Sequence, residues 1–443
     1  MIQLLMIQPE KRNVNLLRRL IAKFRAQTVL TMIYLAGFVD TRDYEITFVN
    51  EYSKKIPYGK HFDLVAITVN TPNAPHCYEI SAHFRKSGAK VVMGGPHVTL
   101  LPDEAIEHCD HLILQEADIT WPQFLEDFKN GSAKSLYHPY PPAELCNLPK
   151  PRWDLLGRTM IKGAVFSTRG CPYNCSFCTL RLVYDPAFRK RPIQDVIEDI
   201  KVFPIKFFVF WDDNLFADKE YIKELLRAMI PLKRKWGALA TLRDCNDEEL
   251  MALAKKSGCQ YLFVGIESFS EEALKEARKG GVNRISEYET IISLIHRYKI
   301  MVYAGIVFGF DSDTADIFEK TYQECEKLGI DFATPGILTP YPKTSTYEKL
   351  EAEGRIFTKD WSRYDGKSVV YEPKNMTAEE LVQGNNYFLK RFFSLRSIIK
   401  RARISRAKFY AYFKINIGYL FVQYKNKKVK KNDKNIGAPP ERV

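Results

Sequence analysis

The stretch that decides the fold of this chain is GAVFSTRGCPYNCSFC, residues 163–178. It begins with an apolar run typical of a buried strand and ends with Cys171, Cys175 and Cys178, a C-x3-C-x2-C triplet. Three thiolates at this spacing can bind three irons of a [4Fe-4S] cluster and leave the fourth iron open to a small ligand. The alternatives are three incidental thiols or a zinc knuckle, and the lack of a fourth cysteine nearby disfavours a closed zinc site.

An alternation of strand and helix patterns begins with this stretch and continues beyond it. Apolar strand-like runs occur six times over about 180 residues, with helical patterns between them. Six βα units predict a parallel barrel, and we expect it to be open because a complete barrel has eight units. The predicted strands are residues 163–168, 206–212, 237–242, 261–268, 301–310 and 332–340.

A similar alternation precedes the cysteines. Its strands are nearly continuous apolar runs, which are typical of a parallel sheet covered by helices on both faces. About five such strands predict a doubly wound, Rossmann-like domain. The predicted strands are residues 3–8, 44–50, 64–70, 90–95 and 111–116.

A segment with five prolines, residues 137–156, lies between the two alternations and can neither continue a helix nor sit in a central strand. Residues beyond about 345 have no strand pattern and are expected to be helical. The predicted organisation is a Rossmann-like domain at 1–136, a proline-rich linker at 137–160, a partial (βα)6 barrel at 161–345 and an α-helical C-terminal region at 346–443.

Composition limits the class of protein. The chain has 443 residues, an apolar fraction of 46% and a formal charge of +13, and the apolar fraction excludes a disordered chain. The excess charge lies in residues 389–443, which contain sixteen basic and two acidic residues, so the remainder is nearly neutral. No apolar run approaches the ~18 residues of a membrane span, and the N-terminus is typical of a first strand rather than a signal peptide. Nine cysteines without an export signal predict a reducing, cytoplasmic location.

The cysteine triplet, the aromatic Phe177 before its last cysteine and the barrel pattern downstream resemble the radical S-adenosylmethionine (radical SAM) superfamily. The resemblance implies that the open iron of the cluster chelates SAM. It also implies that one electron, from a reductant such as flavodoxin or ferredoxin, cleaves SAM to a 5′-deoxyadenosyl radical that abstracts hydrogen from an unactivated carbon. The cofactors perform this chemistry, and the protein positions and shields them.

The same resemblance extends to the ends of the barrel strands. It implies that Asp213 contacts the SAM amino group, and that Glu267 and Ser268 contact its ribose or methionine part. Gly305 and Gly309 would let the adenine ring approach the backbone. Carboxylates at strand ends are also common helix caps, and a G-x-x-x-G spacing is commonly a packing feature.

The N-terminal domain resembles the cobalamin-binding domain found ahead of the barrel in one radical SAM branch. The resemblance rests on TVNT (68–71) and GGPHVTLLPDEAIEHCD (94–110). The motif that supplies a histidine to cobalt elsewhere is absent. His97 is therefore either a lower ligand or, more commonly for such a histidine, a local hydrogen-bonding group, and a degenerate domain without cobalamin is the alternative. The residues expected to line the cobalamin slot are Thr71, Gly94, Gly95 and Thr99.

The whole layout is similar to cobalamin-type radical SAM enzymes akin to hopanoid methylases and other lipid-modifying relatives. It implies methylation of an unactivated carbon in a hydrophobic small molecule. One alternative is a radical cyclisation, rearrangement or epimerisation without methyl transfer. Another is a methylthiotransferase that modifies RNA or protein, which would need a second cluster from Cys77, Cys109 and Cys146.

The basic segment 391–431 interleaves lysine and arginine with aromatic and aliphatic residues at helical spacings. Three interpretations stay open: a helical cap on the barrel with solvated charges, a peripheral contact with anionic membrane, and a nucleic-acid contact. The last is disfavoured because the segment has no recognisable nucleic-acid reader fold.

Overall fold

The computed structural model describes residues 1–10, 30–159, 163–184, 188–203, 205–405 and 412–420. Its framework is two six-stranded parallel sheets, one from each half of the chain. Parallel neighbours require a crossover connection, and helices supply it in both sheets.

The first sheet has the strand order β2-β1-β3-β4-β5-β6. Its strands are almost wholly apolar, and the interior of β1 is completely buried because helices cover both faces of the sheet. The chain order reverses between β1 and β3, which is where open sheets of this kind form a ligand crevice. The strands are β1 (Ile2–Gln8), β2 (Tyr44–Asn50), β3 (Leu64–Thr68), β4 (Lys90–Gly94), β5 (His111–Ile113) and β6 (Leu136–Tyr137).

In the second sheet, six parallel strands lie side by side in the order in which they occur along the chain: β7, β10, β11, β12, β13 and β14. This is the topology of an open barrel. This confirms the predicted Rossmann-like domain, partial barrel and helical C-terminal region as the fold class. A short antiparallel pair, β8 with β9, closes the loop that contains the cysteine triplet. The strands are β7 (Gly163–Val165), β8 (Thr168–Arg169), β9 (Arg189–Lys190), β10 (Phe207–Phe210), β11 (Lys235–Ala240), β12 (Cys259–Glu267), β13 (Met301–Phe308) and β14 (Phe332–Ile337).

The helices that cover the sheets begin at conventional caps in several cases: Asp218, Asp247 and Ser270 each accept a hydrogen bond from a backbone N–H of the first turn. The α-helices are α1 (Thr31–Leu35), α2 (Ala74–Lys86), α3 (Pro96–Leu100), α4 (Pro102–Ile106), α5 (Thr120–Lys129), α6 (Leu180–Val183), α7 (Ile193–Val202), α8 (Lys219–Met229), α9 (Glu248–Ser257), α10 (Glu271–Glu276), α11 (Tyr288–Arg297), α12 (Ile317–Lys327), α13 (Ser345–Ala352), α14 (Ala378–Phe392) and α15 (Leu395–Ile404). No helix among the described residues is both long and apolar enough to cross a bilayer.

The strand β6 differs from the sequence expectation of five strands in this sheet. Leu136 and Tyr137 pair in parallel with Leu112 and Ile113, so the predicted linker begins inside a strand. Two residues ahead of a proline-rich segment carry no periodic signal, and the strand exists because tertiary pairing supplies its hydrogen bonds.

The described part of the basic tail packs on the barrel. Arg401 of α15 is fully buried, and its guanidinium donates to the carbonyl oxygens of Ile330 (2.6 Å) and Phe392 (2.7 Å). This positive charge therefore contributes to the packing of the helical cap. Residues 421–443, which contain most of the lysines of the tail, lie outside the described residues.

Candidate functional site

The cysteine triplet lies in the loop between β8 and β9, and each thiol is partly exposed. Burial, with a contribution from the neighbouring thiols, raises the pKa of Cys171 to about 11 and that of Cys178 to about 12. A thiol must lose its proton to bind a metal. Binding of iron by these cysteines would therefore release their protons.

The donor set of the loop fits an iron–sulfur cluster. The loop supplies three thiols, those of Cys171, Cys175 and Cys178. Three thiolates are the ligand set of a [4Fe-4S] cluster with one open iron, whereas a structural zinc ion is normally held by four protein ligands.

The loop is fixed at its centre by Ser176. Its backbone N–H donates to the carbonyl of Ala277 (3.1 Å), its hydroxyl to the carbonyl of Glu276 (2.8 Å), and its own carbonyl accepts from the N–H of Thr346 (3.0 Å). The C-terminal end of α10 and the first turn of α13 therefore hold the cysteine loop in position. Phe177 follows Ser176 and lies edge-on to Phe310, with ring centroids 6.4 Å apart.

A buried ion pair lies beside the thiols. Glu267 has a backbone φ of +64°, and its carboxylate accepts a hydrogen bond from Lys279 Nζ at 2.7 Å. Burial would lower the pKa of Lys279, but Glu267 and the thiol of Cys175 hold it above its ordinary value. The sequence analysis missed Lys279, because it lies in a loop whose only sequence signal is a glycine pair after it.

Adjacent aspartates after β10 have different environments. Asp212 accepts hydrogen bonds from the N–H and hydroxyl groups of both Ser167 and Thr168, at 2.6–3.1 Å, and thereby connects two strand ends. Asp213 lines a cavity instead, and burial raises its pKa to about 6. Asp213 is thus the carboxyl group of this pair that faces a ligand space.

The other barrel residues singled out in the sequence have partners within the protein. The hydroxyl of Ser268 accepts from the N–H of Ser270 (3.1 Å), which starts α10. Gly309 has a φ of +101°, and a Cβ there would lie 2.4 Å from the hydroxyl of Tyr371. A Cβ on Gly305 would lie 3.0 Å from the ring of Phe263. Packing therefore accounts for both glycines, and their contact with adenine stays a prediction.

A cavity of about 730 Å³ lies between the two sheets, at the carboxyl ends of their strands. One side, here named the N-terminal wall, is the set of strand ends and loops at Gln8–Pro9, Thr68, Asn70–Asn73, Gly94–Pro96 and Gln115–Asp118. Aromatic residues of the same half, Tyr34, Tyr52 and Trp121, also line the cavity. The other side, the barrel wall, comprises Thr168–Arg169, Tyr184, Trp211, Asp213 and Tyr341.

Three of the four residues expected to bind cobalamin, Thr71, Gly94 and Gly95, line the N-terminal wall. Gly95 has a φ of +113°, and a Cβ there would lie 2.7 Å from the carbonyl oxygen of Val69. Thr99 does not line the cavity: its hydroxyl donates to the carbonyl of Gly95 (3.1 Å) and accepts from the N–H of Gln115 (2.8 Å). Thr99 therefore positions two loops of this wall, a role that its sequence position did not indicate.

His97 is fully buried outside the cavity. Its ring nitrogens lie 3.3 Å from the Thr71 hydroxyl, 3.1 Å from the Tyr78 hydroxyl and 3.3 Å from Glu104. His97 therefore makes the local hydrogen bonds of the second alternative.

The chemistry of the N-terminal wall suits a corrin. Its strand ends present hydroxyl, amide and backbone groups from Thr68, Asn70, Thr71 and Gln115 beside the glycine pair. Neutral donors and acceptors match the amide-bearing rim of a corrin, and the position at the β1–β3 reversal is the expected crevice. The residues present therefore fit cobalamin.

Ion pairs join the two walls. Arg169, two residues before the first cluster cysteine, contacts Asp118 at 2.5 Å and 3.0 Å and Glu116 at 3.4 Å. Arg189, its neighbour across the β8–β9 pair, also contacts Glu116. The hydroxyl of Tyr34 donates to Asp118. Both carboxylates of the N-terminal wall are therefore neutralised by arginines that flank the cluster loop.

The cysteines of the methylthiotransferase alternative do not form a second site. Cys77 and Cys109 belong to the apolar core beneath the first sheet, and burial raises both pKa values. Cys146 is in the connector with a Glu144 carboxylate 3.7 Å away. No metal-binding group includes them among the described residues.

Comparisons with known proteins agree with this geometry. A family model described as the radical SAM superfamily matches residues 165–325. The chain is 31% identical over 386 residues to the bacteriochlorophyllide d C-12(1)-methyltransferase of Chlorobaculum tepidum, covering 84% of each protein. It is 29% identical to the C-8(2)-methyltransferase of the same organism, covering 74% of this chain and 79% of that one.

The fold also matches that of TsrM from Kitasatospora setae, a radical SAM methyltransferase solved with cobalamin and a [4Fe-4S] cluster. The TM-score is 0.66 at 16% identity, and the match covers 79% of this chain and 78% of TsrM. The chain therefore belongs to the radical SAM superfamily, in its branch with a cobalamin-binding-type domain ahead of the barrel. It is a radical SAM enzyme of the methyltransferase kind, and this superfamily uses a [4Fe-4S] cluster and SAM.

Proposed function

We propose that this enzyme methylates an unactivated carbon on the periphery of a flat, hydrophobic, tetrapyrrole-type molecule. The observation that carries the proposal is the cavity shared by the two walls, with the cluster loop at its border. The names of the two bacteriochlorophyllide methyltransferases, which this chain matches over most of its length, support the substrate class.

The barrel would hold the cluster through Cys171, Cys175 and Cys178. When bound, the cluster and SAM supply a hydrogen-abstracting radical, and cobalamin supplies a methyl group. The carboxyl of Asp213, which lines the cavity, is the group we assign to the SAM amino group. Glu267, fixed by Lys279, would face the polar part of SAM beside the cluster.

Four further barrel residues complete the proposed SAM site, although their side chains or Cβ positions also have partners within the protein. They lie in the cluster loop, directly after β12, and in and directly after β13. They are Phe177, Ser268, Gly305 and Gly309.

The N-terminal wall would hold cobalamin through Thr71, Gly94 and Gly95, with Thr99 positioning the loops. Because His97 is engaged elsewhere, we expect the chain to give the cobalt no histidine ligand. Thr71 and Asn70 would instead offer neutral contacts to the corrin face.

Two partners are proposed beyond the active site. A one-electron reductant such as flavodoxin or ferredoxin must reduce the cluster. The exposed side chains of Leu395 and Ile399, one turn apart on α15 beside the exposed Arg396 and Arg403, suit shallow contact with an anionic membrane. A hydrophobic substrate stored in a membrane would be reached from there.

The test is anaerobic reconstitution with iron, sulfide, hydroxocobalamin, SAM and reductant, with bacteriochlorophyllide d as the probe. We expect 5′-deoxyadenosine, S-adenosylhomocysteine and a product heavier by one methylene. Cys175→Ala abolishes all three, whereas Cys146→Ala, which alters a cysteine outside the cluster loop, leaves them unchanged. Deoxyadenosine without S-adenosylhomocysteine would show a radical reaction without methyl transfer and overturn the proposal.

A further inference from the structure

The indole of Trp211 is a large apolar surface left open inside the cavity. Its side chain is 46% exposed although it lies on the barrel wall between buried β10 and buried Asp212. Burying a side chain of this size is normally worth about 2 kcal/mol or more, so its exposure within a cavity is a feature to explain.

The position of Trp211 is fixed by its neighbours. Its backbone N–H donates to the carbonyl of Val165 at 2.7 Å, which continues the β10–β7 pairing. The next residue, Asp212, is held by the four donors of Ser167 and Thr168. The strand end therefore presents the indole in one place.

Two more aromatic residues of the barrel wall, Tyr184 and Tyr341, face the same cavity. The arginines nearby are paired across the walls, Arg169 with Asp118 and Arg189 with Glu116, and the carboxyl of Asp213 is assigned to the positively charged amino group of SAM. This part of the cavity therefore offers aromatic surface and little net charge, which suits a flat, conjugated and apolar ligand.

We propose that the Trp211 indole is the stacking surface for the flat ring of the substrate and so determines which ring system the enzyme accepts. This inference rests on the proposed function and deepens it. The other two ligands are assigned elsewhere: SAM adenine to β13, three strands along the sheet from β10, and cobalamin to the opposite wall. The third ligand is the substrate, and Trp211 is the aromatic surface of the barrel wall that remains for it.

The test measures substrate binding by the enzyme loaded with cluster, cobalamin and SAM, before reductant is added. The probes are bacteriochlorophyllide d, which is flat and conjugated, and a hopanoid, which is saturated. The variants are Trp211→Ala, Trp211→Phe and the control Tyr140→Ala, whose ring is 92% exposed outside the cavity.

We expect Trp211→Ala to raise the Kd for bacteriochlorophyllide d about tenfold or more, because stacking and apolar contact are lost. Trp211→Phe and Tyr140→Ala should stay within about threefold of the parent. Cobalamin content and reductant-dependent 5′-deoxyadenosine formation without substrate should match the parent in all variants. Thermal unfolding of each loaded variant verifies that it is folded.

An unchanged Kd in Trp211→Ala would overturn this inference and leave the proposed function intact. Loss of cobalamin or of SAM cleavage in Trp211→Ala, with pigment affinity retained, would assign the indole to a cofactor and overturn it as well. Binding of the hopanoid and not the pigment by the parent would overturn the planar substrate class. A parent that binds neither probe but still cleaves SAM would overturn both proposals.

Discussion

The two walls of the cavity are built from the same kind of element, the carboxyl ends of parallel strands, but they carry different chemistry. The N-terminal wall presents glycine, threonine and amide groups, and its two carboxylates are neutralised by arginines from the barrel. The barrel wall presents aromatic rings and the carboxyl of Asp213, which lies near the thiols. The first wall suits holding a large neutral ligand by shape, and the second suits holding small charged and reactive groups.

The largest expected effect comes from breaking the junction between the walls. Arg169→Met removes the arginine that pairs with both Asp118 and Glu116, and the two carboxylates are buried. We therefore expect the free energy of unfolding to fall by about 3–5 kcal/mol. Denaturant unfolding of the apo-protein measures it. Arg152→Met breaks an exposed pair with Asp154 and should cost less than about 1 kcal/mol. An equal fall in the free energy of unfolding in the two variants would contradict the conclusion that the ion pairs between the walls stabilise the protein.

The next test changes only the N-terminal wall. Gly95→Ala places a Cβ against the backbone of Val69 in a conformation that only glycine adopts readily. We therefore expect the free energy of unfolding to fall by about 2–3 kcal/mol and cobalamin binding to weaken at least tenfold. Gly88→Ala is the matched control, because Gly88 also has a positive φ (+89°) but open space around it. In Gly88→Ala the free energy of unfolding should fall by about 1 kcal/mol, and cobalamin binding should be unchanged. Retained cobalamin affinity in Gly95→Ala would contradict the assignment of this wall.

A third test asks whether a buried aspartate of the barrel makes the stability of the protein depend on pH. Burial raises the pKa of Asp313, after β13, to about 6, while its carboxylate accepts from the N–H groups of Gly309 and Phe310. The folded state therefore binds more protons than the unfolded state between about pH 4 and pH 6, and stability falls as pH rises through this window. Between about pH 4 and pH 6, the free energy of unfolding of Asp313→Asn should fall by about 2 kcal/mol less than that of the parent. Unfolding measured at several pH values tests this.

The control for this pH test is Asp316→Asn, which changes an exposed carboxyl three residues further on. It should leave the pH dependence near that of the parent. A parent with flat stability from pH 4 to pH 6 would contradict the buried position of Asp313.

The smallest effect is expected at the turn after Tyr341 on the barrel wall. Lys343 has a φ of +63°, where a glycine is less strained, so Lys343→Gly should raise the free energy of unfolding by about 0.5 kcal/mol. Lys374→Gly, at an exposed loop position without positive φ, should lower it by a similar amount. Changes of the same sign in both variants would contradict strain at this turn.

The sequence predicted the fold class because buried parallel strands leave long apolar runs, and β1 and β13 are clear examples. It also predicted the cluster cysteines, since their ligand spacing is local. The resemblance pointed to Asp213, but the sequence could not show what Asp212 does, because its donors from Ser167 and Thr168 come from another strand end. Lys279 and the role of Thr99 depend on contacts between distant segments, which leave no local pattern.

The pairing of Arg169 with Asp118 also has a consequence for recombination between relatives. The acidic partners come from residues before the connector and the basic partners from residues after it. A chimera that joins the first half of one relative to the second half of another would keep the junction only if both parents carry this charge pattern. Exchange at the connector should therefore succeed between parents that match at these positions, and substrate preference could then be transferred with the half that contains Trp211.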